Sequence, residues 1–340
     1  IAVTRRLRGT EPSAAFERMT WHEALERFGT DKPDLRFGME ITDLSTVLAG
    51  TEFGVFAGVL GTGGVVRGIN AGPLGLTRSG LDGLVSRAQE LGAGGLVWMV
   101  VEDEGSLRSP AAKFLSDPEK ADVVAAMAAE PGDTLLLVAD ELSVVRAVLG
   151  QLRLDLGRPT GHDELKYVFV VDFPVFERDE HGALVALHHP FTAPVDVEVM
   201  RKDPDTALSR AYDLVLNGTE LGSGSVRIHD PETQAAVFDI LGIEEEEAEA
   251  RFGWFLEALR YGTPPHAGFA IGIDRMVSIL QNEPNIREII PFPKTQTGAD
   301  PLTGSPSRVE DKQLAELGIE VRPNIRAAWE EAGRGGSGAK

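Results

Sequence analysis

The sequence has no cysteine, so disulfide bonds and metal sites built from thiolates are excluded. It also has no apolar run near the roughly 18 residues that a membrane-spanning helix needs, so we expect no membrane association. Basic residues are scarce, because 33 Lys and Arg stand against 53 Asp and Glu and leave a formal net charge of −20. That charge argues against indiscriminate binding to nucleic acids or acidic membranes, although it leaves room for a nucleic acid held by a local basic patch.

The opening segment IAVTRRLRGT lacks the apolar core that a signal peptide places after its basic residues. Without such a leader, we expect a cytoplasmic protein. Of the 340 residues, 42% are hydrophobic and 25% are charged, a composition typical of globular proteins. A chain of this length can form two domains or one large domain.

Changes in composition and in predicted secondary structure divide the chain. Residues 1–38 carry a predicted helix over 20–28, capped by Thr20, and then the loop GTDKPDLRF. Residues 39–154 alternate predicted strands and helices and are long enough for a compact domain. Within them, GVFAGVLGTGGVVRGINAG predicts strand, turn, strand, and GTGGVVRG favours a hairpin turn over a phosphate-binding loop.

The rest of the chain has longer predicted strands. Residues 155–330 begin with YVFVVDFPVFE at 167–177, in which aromatic and β-branched residues alternate as in a strand. Two strands around a glycine-rich break follow within 207–230, and then two helices. Residues 331–340 end in GRGGSGAK, and we expect them to be disordered.

The stretch YGTPPHAGFAIGIDRM (261–276) ends on a charged pair. After its two prolines, the apolar run 267–273 predicts a buried strand. Glycine weakens a strand interior, so Gly272 indicates that another backbone or a ligand comes close. Asp274 is a predicted N-cap, which places Arg275 in the first helical turn, where the helix dipole disfavours a cation unless an anion lies in front of it. The alternative is a core strand followed by a surface arginine.

The stretch ELGSGSVRIH (220–229) is the second informative segment. Strand alternation predicts that Ser225, Arg227 and His229 share one face. A buried arginine there needs a partner, and a carboxylate held by two hydrogen bonds suits its geometry best. Glu220 beside a phosphate site would be suited to hold Mg²⁺, which prefers carboxylate and phosphate oxygens. The alternative is that Glu220 and Arg227 form a structural ion pair with each other.

The loop HHPFTAP (188–194) holds two adjacent histidines and is predicted to be rigid. No HxH or HxxxH spacing accompanies them, and no cysteine exists to complete a zinc shell. A substrate-contacting or core histidine is therefore favoured over a metal ligand.

Several segments together resemble one family. AYDLVLNGTELGSGSVRIHD, YGTPPHAGFAIGIDRM and NIREIIPFPKT resemble the C-terminal half of the class II catalytic domain of bacterial-type aspartyl-tRNA synthetases. In this resemblance GIDR (272–275) looks like the third class-defining motif. FVVDFPVFE, ALHHPFTAP and GTDKPDLRFG match the same family in the same order.

The resemblance implies an α+β fold, in which an antiparallel sheet flanked by helices is interrupted by an α/β insertion domain. Residues 1–38 and 155–330 would then be catalytic domain, and residues 39–154 the bacterial-type insertion domain.

The resemblance also implies roles for particular residues. Arg275 looks like the arginine that holds the terminal phosphates of ATP, and Gly272, Ile273 and Asp274 would line the same site. Glu220 looks like the carboxylate on the ATP and Mg²⁺ side. ATP is thus the implied co-substrate and Mg²⁺ the implied cofactor.

Two further residues are implied to contact the amino acid. Arg227 looks like the arginine that clamps the side-chain carboxylate of L-aspartate, and His188 looks like a second aspartate contact. The implied reaction converts L-aspartate and ATP to aspartyl-adenylate and pyrophosphate, and then passes the aspartyl group to the 3′ end of tRNA.

Other parts of the family pattern are not found in the sequence. The N-terminal anticodon-binding barrel is one of them. The other two are the first motif, which builds the dimer interface, and the second motif, which completes the substrate site. We therefore expect a fragment of an enzyme that is a homodimer when intact, with an activity that this chain alone does not guarantee.

Two alternative functions stay open. An ammonia-dependent asparagine synthetase resembles the same fold, but the predicted insertion at 39–154 argues against it. A non-catalytic paralogue that binds aspartate or a partner is favoured by the missing second motif.

Overall fold

The structure, a computed structural model, describes residues 1–9, 12, 16–103 and 106–328. The predicted disordered tail at 331–340 lies outside the described residues. The chain forms two compact units, of which the first is Ile1–Pro284 and the second begins at Asn285.

Helices and strands alternate along much of the described chain. The strands are β1 Glu17–Thr20, β2 Ile41–Asp43, β3 Val65–Asn70, β4 Val97–Val101, β5 Leu107–Arg108, β6 Thr134–Asp140, β7 Tyr167–Val171, β8 Phe176–Arg178, β9 Leu184–Ala186, β10 Ala211–Leu216, β11 Thr219–Val226 and β12 Ala267–Ile271. The α-helices are α1 Ala2–Arg8, α2 Trp21–Phe28, α3 Gly54–Gly61, α4 Arg78–Glu90, α5 Asp117–Ala126, α6 Leu142–Gly157, α7 Val197–Lys202, α8 Pro231–Ile240, α9 Glu245–Arg260, α10 Ile273–Gln281 and α11 Asp311–Glu316.

The first sheet has the strand order β1-β7-β10-β11-β12. Strand β1 runs parallel to β7, and the other neighbours are antiparallel. Helix α2 covers part of one face, where Ala24 and Phe28 pack against Val170 and Val215. Helix α2 forms as predicted, with the Thr20 side chain accepting a hydrogen bond from the Glu23 amide. The mixture of helices with mainly antiparallel strands confirms the predicted α+β fold class.

The second sheet is drawn entirely from residues 41–140 and has the order β2-β3-β6-β4-β5, with every pair antiparallel. Helices cover both of its faces, so the central strand β6 reads as an almost unbroken apolar run. On β6, Leu136 and Val138 pack into the core that contains α4 and α6, while Leu135 and Leu137 pack into the core that contains α3 and α5.

One predicted strand is a helix. The segment predicted as strand, turn, strand forms α3 and then β3, so the predicted hairpin turn is wrong as well. Phe56 and Leu60, four residues apart, both pack into one core, which is the spacing of a helix face. Over so short an apolar run, periodicity does not separate a helix from a strand.

The predicted strand at 167–177 is interrupted. Strand β7 ends at Val171, and Asp172 has a left-handed φ of 56°. The chain then resumes as β8, which pairs with β9 in a separate two-stranded sheet. Aspartate is among the residues that tolerate this backbone conformation, so a polar residue within an aromatic strand pattern marks the break.

Helix α6 packs closely against the end of α2 and thereby connects the two sheets. A Cβ at Gly150 would lie 2.9 Å from the Phe28 carbonyl oxygen. A Cβ at Gly29, whose φ is 68°, would collide with the Arg146 carbonyl oxygen. Glycine at both positions is therefore required for the two backbones to approach each other.

Arg153 of α6 is fully buried in this contact. Its guanidinium carbon lies 4.8 Å from the ring centroid of Phe28 and 4.0 Å from that of Phe37. Its Nη2 donates hydrogen bonds to the carbonyl oxygens of Asp34, at 2.7 Å, and Phe37, at 2.9 Å. Burial lowers the pKa of Arg153 to about 10, although the charges of Asp34 and Glu40 oppose this shift. The side chain is therefore charged at neutral pH and is held by ring faces and carbonyls.

We expect Arg153→Ala to lower the free energy of unfolding by about 3 kcal/mol, because it leaves a cavity between two rings and removes the donor to two carbonyls. Arg153→Met should cost less, since it keeps an unbranched stem between the rings. Urea unfolding measures both, with Arg178→Ala as a control at a side chain that is 52% exposed. Equal unfolding midpoints for Arg153→Ala and the unmodified chain would contradict this role.

Candidate active site

Glu220 and Arg275 come together at one edge of the first sheet. Glu220 is the second residue of β11, and Arg275 lies in the first turn of α10, directly after β12. The Arg275 Nη1 donates to the Glu220 carbonyl oxygen at 3.0 Å and lies 3.7 Å from the Glu220 carboxylate Oε1. Half of the Arg275 side chain is exposed, so the guanidinium is accessible to an anion from solvent.

Helix α10 begins two residues earlier than predicted. Its N-cap is Gly272 rather than Asp274, and no side chain caps it. The Gly272 amide donates to the Leu221 carbonyl at 2.7 Å, which attaches the start of the helix to β11. Asp274 falls in the first turn instead, where its charge suits the helix dipole, and Ile273 is exposed beside it.

Strand β12 is exposed rather than buried. All five of its residues are exposed, and among the described strands it is an edge strand that pairs with β11 alone. The glycines that packing requires lie on β11: a Cβ at Gly222 or Gly224 would collide with a carbonyl oxygen of β12. At Gly272 a Cβ would meet contacts of 3.4 Å or more, so packing within the protein does not demand glycine there.

Arg227 follows the last residue of β11 and is half-buried. The predicted alternation fails beyond the strand end, since Ser225 is buried whereas His229 is exposed. Among the described residues, Arg227 has no carboxylate partner, and Glu220 pairs elsewhere, so the alternative of a Glu220–Arg227 ion pair is wrong. Burial, together with the charge of Arg227, lowers the pKa of the neighbouring His189.

His188 lies beside a carboxylate that sequence reasoning missed. Its Nε2 is 3.9 Å from Asp213 Oδ1, and its ring packs edge-on against Phe173 at 4.6 Å between centroids. Asp213 is 3% exposed, and within the described part of the chain this Oδ1 has no hydrogen-bond partner. Asp213 shares the buried face of β10 with Ala211 and Val215, so an acidic residue at a core position of an alternating strand was the available signal.

The loop that carries His188 is attached to α8 and α9. The Gln234 side chain, fully buried, donates from Nε2 to the Pro190 carbonyl at 2.9 Å. The Phe191 ring packs in an aromatic cluster whose other members are Phe238, Phe252 and Phe255. The prediction of a rigid loop thus has a structural basis in side chains from two helices.

The turn that precedes Glu220 is held by Asn217. Asn217 is fully buried and has a φ of 51°, as a two-residue Asn-Gly turn requires. Its Nδ2 donates to the Glu164 carbonyl at 2.7 Å and approaches His162 Nδ1 at 3.1 Å, while its Oδ1 accepts from the Lys166 amide at 2.9 Å. Because Nδ2 is a donor, His162 must be neutral at Nδ1 to accept.

We expect the free energy of unfolding to fall as the pH drops from about 7 to about 5. Burial and the charges of Arg36 and Arg158 lower the pKa of His162 from 6.5, so the unfolded chain takes up a proton before the folded chain does. His162→Gln should flatten this pH dependence, whereas His181→Gln, at a histidine that is 80% exposed, should not. Thermal unfolding across this pH range measures it, and parallel curves for His162→Gln and the unmodified chain would refute the assignment.

The first sheet is mainly antiparallel, and Arg275 in the first turn of α10 lies beside the Glu220 carboxylate of β11. The family model described as tRNA synthetases class II (D, K and N) matches residues 2–296. The chain belongs to this family. None of the helices in the described residues has the length and apolar character needed to cross a membrane.

Individual relatives agree with the family. An aspartate–tRNA(Asp/Asn) ligase of Caldanaerobacter subterraneus subsp. tengcongensis is 50% identical over 313 residues, which cover 90% of this chain and 53% of that protein. Another, of Desulfatibacillum aliphaticivorans, is 46% identical over 321 residues, which cover 92% and 54%. A solved aspartyl tRNA synthetase from Entamoeba histolytica is 27% identical, with a TM-score of 0.32 over 45% of this chain and 26% of that one.

The chain therefore spans about half the length of the curated relatives it matches. The resemblance to bacterial-type aspartyl-tRNA synthetases is confirmed by the family model and by the two ligases at 46% and 50% identity.

Proposed function

We propose that this chain is part of the catalytic half of an aspartate–tRNA ligase, which activates L-aspartate with ATP and transfers the aspartyl group to tRNA. The observation that supports this most directly is the meeting of Arg275 and Glu220 at the exposed edge of the sheet. Within this proposal, residues 1–38 and 155–330 belong to the catalytic domain and residues 39–154 are the insertion. The separate second sheet, drawn from residues 41–140, supports that division.

The ATP end of the site would lie at the start of α10. Arg275 would hold the terminal phosphates, and an anion there would also offset the unfavourable position of this cation at a helix N-terminus. The same ligand would contact Gly272, Ile273 and Asp274, which connect the end of β12 to the first turn of α10.

Glu220 has the chemistry of a Mg²⁺ ligand that shares the ion with phosphate oxygens. Among the described residues, no group of three or more Asp, Glu or His side chains could hold a metal ion by itself. That fits a magnesium ion bound by one or two carboxylates and completed by the nucleotide. When bound, Mg²⁺ would supply neutralisation of the phosphate charge.

The aspartate end would lie at Arg227, with His188 as a second contact. Arg227 has no carboxylate partner among the described residues. Its guanidinium can therefore donate two hydrogen bonds to the side-chain carboxylate of the substrate. Asparagine would leave that charge unpaired, which is the basis of discrimination by charge.

The reaction needs orientation and charge neutralisation rather than a covalent intermediate on the protein. The α-carboxylate oxygen of aspartate attacks the α-phosphorus of ATP, and the bond to the bridging oxygen breaks as pyrophosphate leaves. Arg275 would stabilise the charge that gathers on pyrophosphate, and Arg227 would hold the substrate in line. The tRNA acceptor, a homodimeric intact enzyme and a cytoplasmic location complete the proposal, and family membership supports them.

Aspartate-dependent exchange between ATP and pyrophosphate, assayed on the 340-residue chain, tests this proposal. Arg227→Ala and Arg275→Ala should each lower the exchange rate at least about 100-fold, because each removes a charged, doubly hydrogen-bonded contact to a substrate. Arg178→Ala is the matched control, since this arginine pairs with Asp205 at 2.6 Å on the surface. Radiolabelled pyrophosphate incorporation into ATP measures the rate.

The same experiment separates the alternatives. Asparagine formed from aspartate and ammonia without tRNA would indicate a synthetase of the free amino acid. Aspartate binding that depends on Arg227, without any exchange, would indicate a binding module. Exchange that persists in Arg227→Ala would contradict the proposed aspartate site.

A further inference from the structure

Lys32 lies at the proposed ATP site, although no feature of the sequence singled it out. Its Nζ is 3.9 Å from Glu220 Oε2, while Arg275 Nη1 is 3.7 Å from Oε1 of the same carboxylate. Glu220 therefore contacts two cations that are far apart in the sequence. At these distances the contacts are electrostatic attractions rather than hydrogen bonds.

We propose that Lys32 is a second phosphate-binding cation of this site, which pairs with Glu220 before the nucleotide arrives and with phosphate oxygens afterwards. The inference rests on the proposed ATP-dependent function and adds a residue to it.

The charges of the cluster support this role. Asp31 and Glu220 contribute two negative charges, and Lys32 and Arg275 contribute two positive ones. If Glu220 became a Mg²⁺ ligand, both cations would lose Glu220 as a partner, and phosphate oxygens of ATP would replace it, while Lys32 would keep its contact with Asp31. A lysine suits the exchange, because its ammonium is a point charge on a flexible stem, and the Lys32 side chain is 39% exposed.

The loop that carries Lys32 is held firmly in place. Two residues further on, Asp34 is fully buried and receives a doubly hydrogen-bonded guanidinium from Arg36, at 2.6 and 2.9 Å. Burial alone would raise the pKa of Asp34, but the Arg36 contacts hold it below its usual range. Arg153 of α6 anchors the same loop through the carbonyls of Asp34 and Phe37. The position of Lys32 is thus set by buried contacts on its C-terminal side.

The competing explanation is a local ion pair. Lys32 Nζ lies 2.9 Å from both carboxylate oxygens of Asp31, its neighbour in sequence. Partly exposed pairs of this kind contribute little to stability. If that pair were the whole role of Lys32, its replacement would leave nucleotide affinity unchanged.

The test is calorimetric titration of the 340-residue chain with ATP and Mg²⁺, and separately with adenosine. Lys32→Gln should raise the Kd for ATP roughly tenfold, because it removes one charged contact to phosphate, and should leave the Kd for adenosine unchanged. Lys32→Arg keeps the charge and should restore ATP affinity to within about threefold of the unmodified chain. Lys120→Gln is the matched control, since Lys120 pairs with nearby Asp117 at 3.0 Å in the region of the second sheet.

Arg275→Ala in the same series separates this inference from the function on which it rests. Weaker ATP binding in both Arg275→Ala and Lys32→Gln supports both. Weaker binding in Arg275→Ala alone overturns the role of Lys32 and keeps the ATP site. Unchanged binding in Arg275→Ala, or no binding of ATP by the unmodified chain, overturns the ATP site and the Lys32 inference together. Equal losses of ATP and adenosine affinity in Lys32→Gln would indicate a structural role and would also overturn the inference.

Discussion

A buried guanidinium is the constraint on which the arrangement of the first compact unit depends. Arg153 extends from the helix that covers the second sheet and lies between two phenylalanine rings next to the first sheet. A charge in such a place is costly unless its surroundings supply acceptors and ring faces. Here the two carbonyls and the Phe37 ring come from one loop, and the Phe28 ring comes from the end of α2. The loop between α2 and β2 is therefore held on the C-terminal side of Lys32, and these contacts set the position of that residue.

The candidate active site also contains charged groups that need partners. Glu220 lies within ion-pair distance of two cations, Lys32 and Arg275, whereas Arg227 has no carboxylate partner among the described residues. Asp213 is buried close to His188, and its Oδ1 has no hydrogen-bond partner in the part of the chain that the structure describes. Charged groups that lack a partner in the protein are typical of functional sites, because a substrate or an ion can pair with them. The fold provides stability elsewhere, through two apolar cores around the second sheet and a smaller one under the first.

Much of the secondary structure could be predicted, and the failures share a cause. Helices with clear caps and long apolar stripes, such as α2 and α4, follow from spacing alone. The helix α3 was predicted as a strand because eight apolar and glycine residues carry no distinguishing period. The strand β12 was predicted to be buried because its residues are apolar, yet burial depends on what lies beside a strand, which is a property of the sheet.

The sequence by itself determined the family and the α+β class, and it named most residues of the proposed site, because motifs of specific residue types in a specific order carry that information locally. It placed Arg275 in a first helical turn, and the structure agrees. Only the tertiary structure decided which charges meet. Lys32 and Glu220 are far apart along the chain, as are Asp213 and His188, and no periodicity relates them. Their proximity results from strand register and from the packing of a loop against α6, which are long-range contacts that local sequence patterns do not contain.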